Sequence, residues 1–341
     1  MGKLLQSLTS GGRRRGFAIP QPAQRDASFQ HHYMKVRGVR LHWAELGKSD
    51  GRPPLVLLHG LFDSHLTWRS VAMELGPGRR VLMPDLPGCG LSERPDASYE
   101  LSWHAEIIAA WLRMLGLDEV DVVGHSFGGG VAQMLLLERP MPMRRLVLVA
   151  AGGLGRDVGF WLRLASVPWV IEYLGQPFMA RGTGFALGMA RHALSKDYVT
   201  ELSAMNGARG SARAFSRTLR HVIDWRGQRQ LFFERSGEVQ LPSTALFWGD
   251  RDPVIPIAHG HAFVSGFRGI TFKRFEGCGH YPHQQQPGPF AVALEAFLDD
   301  PSVPGTHAPV PRHAAEAPGQ CRRRRAVAAA SGTRRVQRLA P

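Results

Sequence analysis

Cysteine is scarce in this sequence, and long apolar segments are missing from it. The chain has three cysteines, Cys89, Cys278 and Cys321, without the spacing of metal ligands. This odd and scattered set indicates neither a disulfide framework nor a metal site, and it favours a reducing, cytoplasmic compartment. No stretch approaches the ~20 consecutive apolar residues of a membrane span. We therefore predict no membrane span and a soluble protein.

Little net charge is left once the two ends of the chain are set aside. Of the formal net charge of +14, residues 1–30 carry +4 and residues 302–341 carry +7, which leaves +3 for residues 31–301. A nearly neutral central region argues against specific nucleic-acid binding. Like charges in an Ala, Pro, Gly and Arg background cannot collapse into a core. We therefore predict a flexible basic leader over 1–30 and a disordered basic tail over 301–341.

The central region predicts alternating strands and helices. Residues 33–37 and 39–45 alternate apolar and polar side chains around Gly38, which is typical of an antiparallel hairpin at a sheet edge. Continuous apolar runs, typical of strands covered on both faces, follow at 55–58, 81–83, 120–123, 146–149 and 244–248. Helical periodicity lies between them at 101–115 and 128–137. Strands that alternate with helices predict an α/β fold with a doubly wound, mostly parallel sheet.

One long segment interrupts this alternation. After the fourth apolar run, the residues are rich in Leu, Trp, Phe, Met and Arg and show helical rather than strand patterning. We predict a helical cap over 153–238, at the carboxyl edge of the sheet, where open α/β sheets bind ligands. The core would then consist of residues 31–152 and 239–300, the second part containing a strand near 271–275 and a helix near 289–298.

A turn between a strand and a helix carries the strongest chemical signal. Gly124-His125-Ser126-Phe127-Gly128 matches G-x-S-x-G, directly follows an apolar strand and opens a helix. Its two glycines allow a sharp turn, which exposes the serine hydroxyl at the end of the strand. The start of the helix adds backbone N–H groups that favour negative charge. This context predicts that Ser126 is an activated nucleophile.

An unassisted serine is a poor nucleophile, so a base and an orienting acid are expected later in the chain. His280 ends the glycine-rich loop Gly277-Cys278-Gly279-His280 after the last strand, and we predict that it is the base. Two carboxylates, Asp250 and Asp252, follow the preceding apolar strand. Asp252 is the preferred acid because Pro253 and the Val-Ile-Pro after it favour a rigid loop, and Asp250 is the alternative.

A tetrahedral intermediate also needs hydrogen-bond donors for its oxyanion. The segment His59-Gly60-Leu61-Phe62 ends the first long apolar strand with a turn that can direct a backbone N–H towards the nucleophile. The residue after the nucleophile supplies a second donor. We therefore predict that the N–H groups of Leu61 and Phe127 form an oxyanion hole, with Phe62 as the alternative to Leu61.

Together, five ordered motifs resemble the α/β-hydrolase superfamily, in its capped, lipase-like esterase branch. They span roughly residues 31–299 and lie at 57–60, 84–92, 124–129, 248–256 and 277–280. The resemblance implies a capped α/β-hydrolase fold without cofactor or metal and a triad of Ser126, His280 and Asp252. It also implies a structural role for the loop of Asp85. Cys89 departs from the histidine or tyrosine often found in that loop, which affects a turn.

The resemblance favours hydrolysis of small, largely apolar esters through an acyl-enzyme. The predicted cap is rich in aromatic and aliphatic residues, so we expect Phe62, Trp161 and Trp169 to line the substrate pocket. The expected partner is a small-molecule ester, and the sequence carries no signal for an oligomeric state. Haloalkane dehalogenases and epoxide hydrolases are disfavoured because they carry aspartate where this chain has Ser126.

Other activities on the same triad are alternatives. These are a carbon–carbon bond hydrolase, a perhydrolase and an acyltransferase, besides a non-catalytic ligand-binding protein that has kept the fold. Carbon–carbon hydrolases of ring-cleavage products usually have Gly-Pro-Gly after the His-Gly pair. This chain has Leu61-Phe62-Asp63 there, which lowers the weight of that alternative.

Overall fold

A computed structural model describes residues 29–138, 143–166, 170–188, 194–236 and 239–302. The predicted leader and tail therefore lie outside the described residues, apart from 29–30 and 301–302. The strands are β1 (Gln30–Val36), β2 (Val39–Leu46), β3 (Leu55–Leu58), β4 (Val81–Asp85), β5 (Val120–His125), β6 (Met143–Val149), β7 (Ile223–Asp224), β8 (Gly227–Gln228), β9 (Ser243–Gly249) and β10 (Thr271–Phe275).

The helices flank the strands in sequence. They are α1 (Arg69–Leu75), α2 (Leu101–Met114), α3 (Phe127–Glu138), α4 (Phe160–Ala165), α5 (Val170–Leu174), α6 (Met179–Gly188), α7 (Lys196–Asn206), α8 (Ser211–Val222), α9 (Phe232–Arg235), α10 (Ala258–Ser265), α11 (Pro282–Gln285) and α12 (Pro287–Leu298). Within the described ranges, none of them combines the length and apolarity that crossing a bilayer requires.

Eight strands form one sheet in the order β1-β2-β4-β3-β5-β6-β9-β10. β1 and β2 form the predicted hairpin, and β2 pairs antiparallel with both β1 and β4. The other neighbours pair in parallel. Parallel neighbours require crossover connections, which helices supply. The prediction of an α/β fold with a mostly parallel sheet is confirmed.

Apolar helices cover both faces of the sheet. On β3, Leu55 and Leu57 belong to the core formed with α1 and α12, whereas Val56 and Leu58 belong to the core formed with α2, α3 and α10. β5, β6 and β9 divide their side chains between the two cores in the same alternating way. The sheet is therefore doubly wound, and its central strands carry apolar side chains on both faces because neither face meets water.

The residues between β6 and β9, hereafter the inserted segment, contain helices α4 to α9. They also contain an antiparallel pair of two-residue strands, β7 and β8, which the helical pattern did not predict. Gly227 in this hairpin has a φ of 118°, and a Cβ there would overlap the carbonyl oxygen of Arg156. So short a pair has no periodicity that a sequence could reveal. The boundaries 153–238 of a cap stay a prediction.

Candidate active site

Ser126 lies on the tight turn between His125, the last residue of β5, and Phe127, the first of α3. Its φ of 51° lies in the left-handed region that non-glycine residues rarely adopt. The turn is held on both sides, because the Ser126 N–H donates to the carbonyl of Val149 at 2.9 Å and its carbonyl accepts from the N–H of Gly152 at 3.1 Å. Such a strained and firmly held backbone is typical of nucleophile turns.

Close backbone packing requires the two glycines of the motif. A Cβ on Gly128 would lie 2.5 Å from the carbonyl oxygens of Leu58 and His59. One on Gly124 would lie 2.6 Å from the carbonyl oxygen of Gly128. The first turn of α3 therefore touches the end of β3, and this contact sets Ser126 beside the loop that follows β3.

Gly128→Ala is expected to lower the free energy of unfolding by about 1–3 kcal/mol or more, the usual cost of overpacking, because backbone atoms cannot move aside. Gly182→Ala in α6 is the matched control, since no atom lies within 4 Å of a Cβ at that position. Alanine there is expected to leave stability unchanged or raise it by up to ~1 kcal/mol. Urea unfolding measures both, and equal midpoints would contradict the packing argument.

The structure brings together the predicted nucleophile, base and preferred acid. His280 Nε2 lies 3.0 Å from Ser126 Oγ, and His280 Nδ1 lies 2.8 Å from Asp252 Oδ2. Since a carboxylate only accepts, Nδ1 carries the proton and Nε2 is left to accept from the serine hydroxyl. The other oxygen of Asp252 accepts from the N–H groups of Val254 and Ile255 at 2.8 and 3.0 Å. Both oxygens of Asp252 are thus held in place.

Asp250, the alternative acid, has different surroundings. Its backbone N–H donates to the carbonyl of Phe275 at 3.2 Å. Its Oδ1 is buried and has no hydrogen-bond partner in the described part of the chain. No contact with His280 is formed, so the geometry favours Asp252 over Asp250 as the partner of the imidazole.

The loop after β3 faces Ser126 across a cavity. Leu61 and Phe127 both border this cavity. Across the described ranges, their backbone N–H groups have no hydrogen-bond acceptor. Phe62 has a φ of 57°, so the chain turns sharply directly after Leu61. The two backbone donors named in the sequence analysis are thus free of protein acceptors in the described part of the chain, and their role as an oxyanion hole stays a prediction.

Helix α7 holds this loop through contacts that the sequence analysis did not find. Asn206 Nδ2 donates to the carbonyl of Phe62 at 2.9 Å, and the Tyr198 hydroxyl donates to Asp63 Oδ1 at 2.7 Å. A salt bridge of 2.8 Å joins Glu201 of the same helix to Arg69. The one sequence feature that could have pointed to these contacts is the position of Asp63, directly after the segment His59-Gly60-Leu61-Phe62. Nothing in the sequence of α7 indicates where that helix docks.

Asp63 is a buried carboxyl in the cavity wall. Burial raises its pKa from 3.8 to about 7, although hydrogen bonds from Tyr198, the N–H of Ser64 and Thr67 oppose the shift. Its Oδ2 is buried without a hydrogen-bond partner among the described residues. A carboxyl in this environment is easier to bury when it is protonated.

Asp63→Asn is expected to make stability less dependent on pH. Because the folded pKa of about 7 exceeds the ordinary value of 3.8, the stability linked to Asp63 is fully present below the ordinary pKa and is lost as pH rises through the folded one. Asparagine stays neutral and keeps an oxygen for Tyr198. Between about pH 5 and about pH 8, wild type should lose ~2 kcal/mol of unfolding free energy that the variant keeps. Parallel pH profiles would contradict the assignment.

A cavity of about 1180 Å³ has Ser126 and His280 in its wall. Most of its lining is apolar and comes from the loop after β3, from α3 and from the inserted segment. Phe62 and Trp161, two of the predicted pocket residues, line it. Trp169, the third, lies outside the described residues. A mostly apolar cavity with a few polar groups suits a small organic ligand.

A separate buried cluster consists of His42, His65 and Asp85, whose side-chain atoms lie close enough together to hold a metal ion. His42 Nδ1 lies 2.7 Å from one carboxylate oxygen and His65 Nδ1 lies 3.0 Å from the other. The two nitrogens donate protons to the carboxylate, so they are not available as metal ligands. The N–H of Leu91 donates to the same carboxylate at 2.8 Å. The cluster thus holds the loop after β4, in keeping with the structural role expected for Asp85.

Comparison with known proteins agrees with this architecture. Residues 53–287 match the family model described as alpha/beta hydrolase fold. An uncharacterised protein of Mycobacterium tuberculosis is 34% identical over 279 residues, which are 78% of this chain and 80% of that protein.

Two further relatives have names that state an activity. A 2-hydroxymuconate semialdehyde hydrolase of Pseudomonas sp. (strain CF600) is 40% identical over 253 residues, 72% of this chain and 86% of that protein. An sn-1-specific diacylglycerol lipase of Mus musculus is 26% identical over 294 residues, 83% of this chain and 93% of that protein. Since the family model covers more than half of the sequence, this chain belongs to the α/β hydrolase fold family and is a hydrolase.

Proposed function

We propose that the protein is a serine hydrolase that cleaves carboxylic ester bonds of small, largely apolar substrates. The observation that carries the proposal is the chain of contacts from Ser126 through His280 to Asp252 in the wall of a mostly apolar cavity. A nucleophile, a base and an orienting acid are thus in hydrogen-bond contact before any substrate binds.

His280 acts as the base. Its Nε2 takes the hydroxyl proton of Ser126 as Oγ attacks the carbonyl carbon of the ester, while Asp252 stabilises the imidazolium and holds its orientation. His280 then gives the proton to the departing alcohol, which leaves the acyl group on Ser126. A water molecule that loses its proton to His280 attacks this acyl group, releases the acid and restores the serine.

The N–H groups of Leu61 and Phe127 bind the oxyanion of both tetrahedral intermediates. Loss of one such donor typically costs ~10²–10³ in kcat. Asn206 binds the carbonyl of Phe62, two peptide units after the one that carries the Leu61 N–H, and so restrains the loop that holds this donor. In this scheme Asn206 is a positioning residue, because it acts on the reaction through Leu61.

Asn206→Ala is expected to lower kcat on a soluble ester by about tenfold or more while changing KM little, since the oxyanion develops only after the substrate is bound. Steady-state kinetics with a p-nitrophenyl ester give both constants. Thr200→Ala on the same helix is the control, because Thr200 is exposed and its hydroxyl donates to the carbonyl of Lys196 in the preceding turn. A rise in KM with unchanged kcat would contradict the positioning role.

The proposed activity is tested in two steps. A fluorophosphonate probe is expected to label wild type covalently at Ser126 and to leave Ser126→Ala unlabelled. Hydrolysis of a p-nitrophenyl ester series of increasing acyl length is then expected in wild type only. Folded wild-type protein that is neither labelled nor active on any ester of the series would overturn the proposal.

Carbon–carbon bond hydrolysis is the second candidate. It is favoured by the 40% identity to a 2-hydroxymuconate semialdehyde hydrolase. Arg229 in the cavity wall also suits an acidic substrate. Leu61-Phe62-Asp63 in place of Gly-Pro-Gly argues against it. An assay with 2-hydroxymuconate semialdehyde, followed through its enol absorbance, decides between the two candidates. If its kcat/KM exceeds that of every ester tested, carbon–carbon bond hydrolysis replaces ester hydrolysis as the proposed function.

A further inference from the structure

Aromatic side chains are exposed around the entrance of the cavity. Phe160, Trp161, Phe178, Phe185 and Trp225, hereafter the aromatic rim, are each more than half exposed. Phe160, Trp161 and Phe178 also line the cavity. These three side chains therefore face both the cavity and the solvent, which places them at the mouth of the cavity.

The members of the rim fall into two groups. The ring of Phe160 lies 5.7 Å from that of Trp161 and 6.2 Å from that of Trp225. Phe178 directly precedes α6, and Phe185 follows two helical turns later on the same face. Exposed apolar clusters around a ligand site are uncommon on monomeric proteins and mark an interaction surface.

Positive charge accompanies the rim. Arg181 lies three residues after Phe178 and four before Phe185, so it projects from the same face of α6. It is exposed and forms no ion pair within the described residues. Arg226, also exposed, follows Trp225. Over residues 153–238 the sequence has twelve Lys and Arg against seven Asp and Glu.

We propose that the aromatic rim docks on an anionic lipid surface, with the mouth of the cavity facing the lipid. Aromatic rings and long arginine side chains are the groups that settle at a membrane interface, with the rings among the acyl chains and the guanidinium at the headgroups. A second copy of the chain seated on the rim would close the mouth, whereas a lipid surface delivers apolar molecules to it. That lipid esters enter by this route rests on the proposed function, but the docking itself does not.

The test is vesicle co-sedimentation of the full chain, carried out in Ser126→Ala so that binding is measured without hydrolysis. The vesicles consist of phosphatidylcholine alone or of phosphatidylcholine with phosphatidylserine. The Phe185→Ser, Trp225→Ser double variant removes two rim aromatics that do not line the cavity. Met73→Ser on α1 is the matched control, because Met73 is 59% exposed away from the rim.

The double variant is expected to lower partitioning onto anionic vesicles about tenfold, while Met73→Ser leaves it unchanged. Arg181→Ala is expected to lower it about fivefold on anionic vesicles only, the factor that corresponds to ~1 kcal/mol per surface cation. The basic ends of the chain are present in every variant, so they do not produce these differences. Circular dichroism checks that the variants fold. As a second check, the same rim variants are made in protein that keeps Ser126, and their hydrolysis of a soluble ester is measured.

Two results would overturn the proposal. One is equal partitioning of the double variant and Met73→Ser, which would assign vesicle binding to other basic parts of the chain. The other is a concentration-dependent dimer, measured by light scattering, that the double variant dissociates, because the rim would then bind a second copy. Either result leaves labelling of Ser126 and ester hydrolysis unaffected, so it is distinct from a failure of the proposed function.

Discussion

Ser126→Ala, His280→Ala and the double variant are expected to lose activity to a similar extent, by about 10⁴ to 10⁶ in kcat. The hydroxyl attacks only as the imidazole accepts its proton, so removing either group removes the same step. The 3.0 Å contact between Ser126 Oγ and His280 Nε2 is the structural basis for this expectation. Initial rates on a p-nitrophenyl ester at saturating substrate measure it.

Ser265→Ala and His261→Ala are the controls for these variants, since both side chains are exposed on α10. They are expected to keep wild-type rates and melting temperatures. Losses that add in the double variant, so that it falls far below either single variant, would mean that Ser126 and His280 act in separate steps. The proposed mechanism would then be wrong.

Asp252→Asn is expected to lower kcat by about 10³ to 10⁴ with little change in fold. The asparagine amide donates to the imidazole instead of accepting from it, which favours the tautomer with its proton on Nε2. That nitrogen then cannot take the proton of Ser126. The 2.8 Å contact between His280 Nδ1 and Asp252 Oδ2 is the interaction that is lost.

Asp250→Asn is the matched control for this second variant, because it changes a carboxylate in the same loop that does not contact His280. Its kcat is expected to stay within about tenfold of wild type, since Asp250 is not among the residues that line the cavity and His280 Nδ1 pairs with Asp252. The two variants are compared by kcat and by the pH dependence of kcat/KM. A larger loss in Asp250→Asn would move the role of acid to Asp250.

The sheet and the meeting of Ser126, Asp252 and His280 could be predicted because each depends on local patterns. Strands covered on both faces carry continuous apolar runs, so the run at 55–58 coincides with β3. Each of the three residues follows the end of a strand, and the ends of parallel strands lie at the same edge of a sheet. Order along the chain was therefore enough to bring the three side chains together.

The docking of the inserted segment could not be predicted in the same way. An apolar helical pattern shows that one face of α7 is buried, but not which loop it packs against. The bonds from Tyr198 and Asn206 to the loop after β3 join residues 135 and 144 positions apart. Trp161 was expected in the pocket and lines it, yet its 70% exposure could not be foreseen, because a sequence does not show where a cavity opens.

The position of the inserted segment between β6 and β9 has a consequence for how this scaffold can diversify. Two parallel neighbours need a crossover of a dozen or more residues in any case, and each doubling of a flexible connection costs only about 0.6 kcal/mol in closure entropy. Most of the crossover can therefore be replaced by another segment, and the ligand preference altered with it, without disturbing the strand pairing. A replacement segment has to preserve the N–H of Gly152, which bonds the carbonyl of Ser126, and the two buried donors Tyr198 and Asn206 that meet the loop after β3.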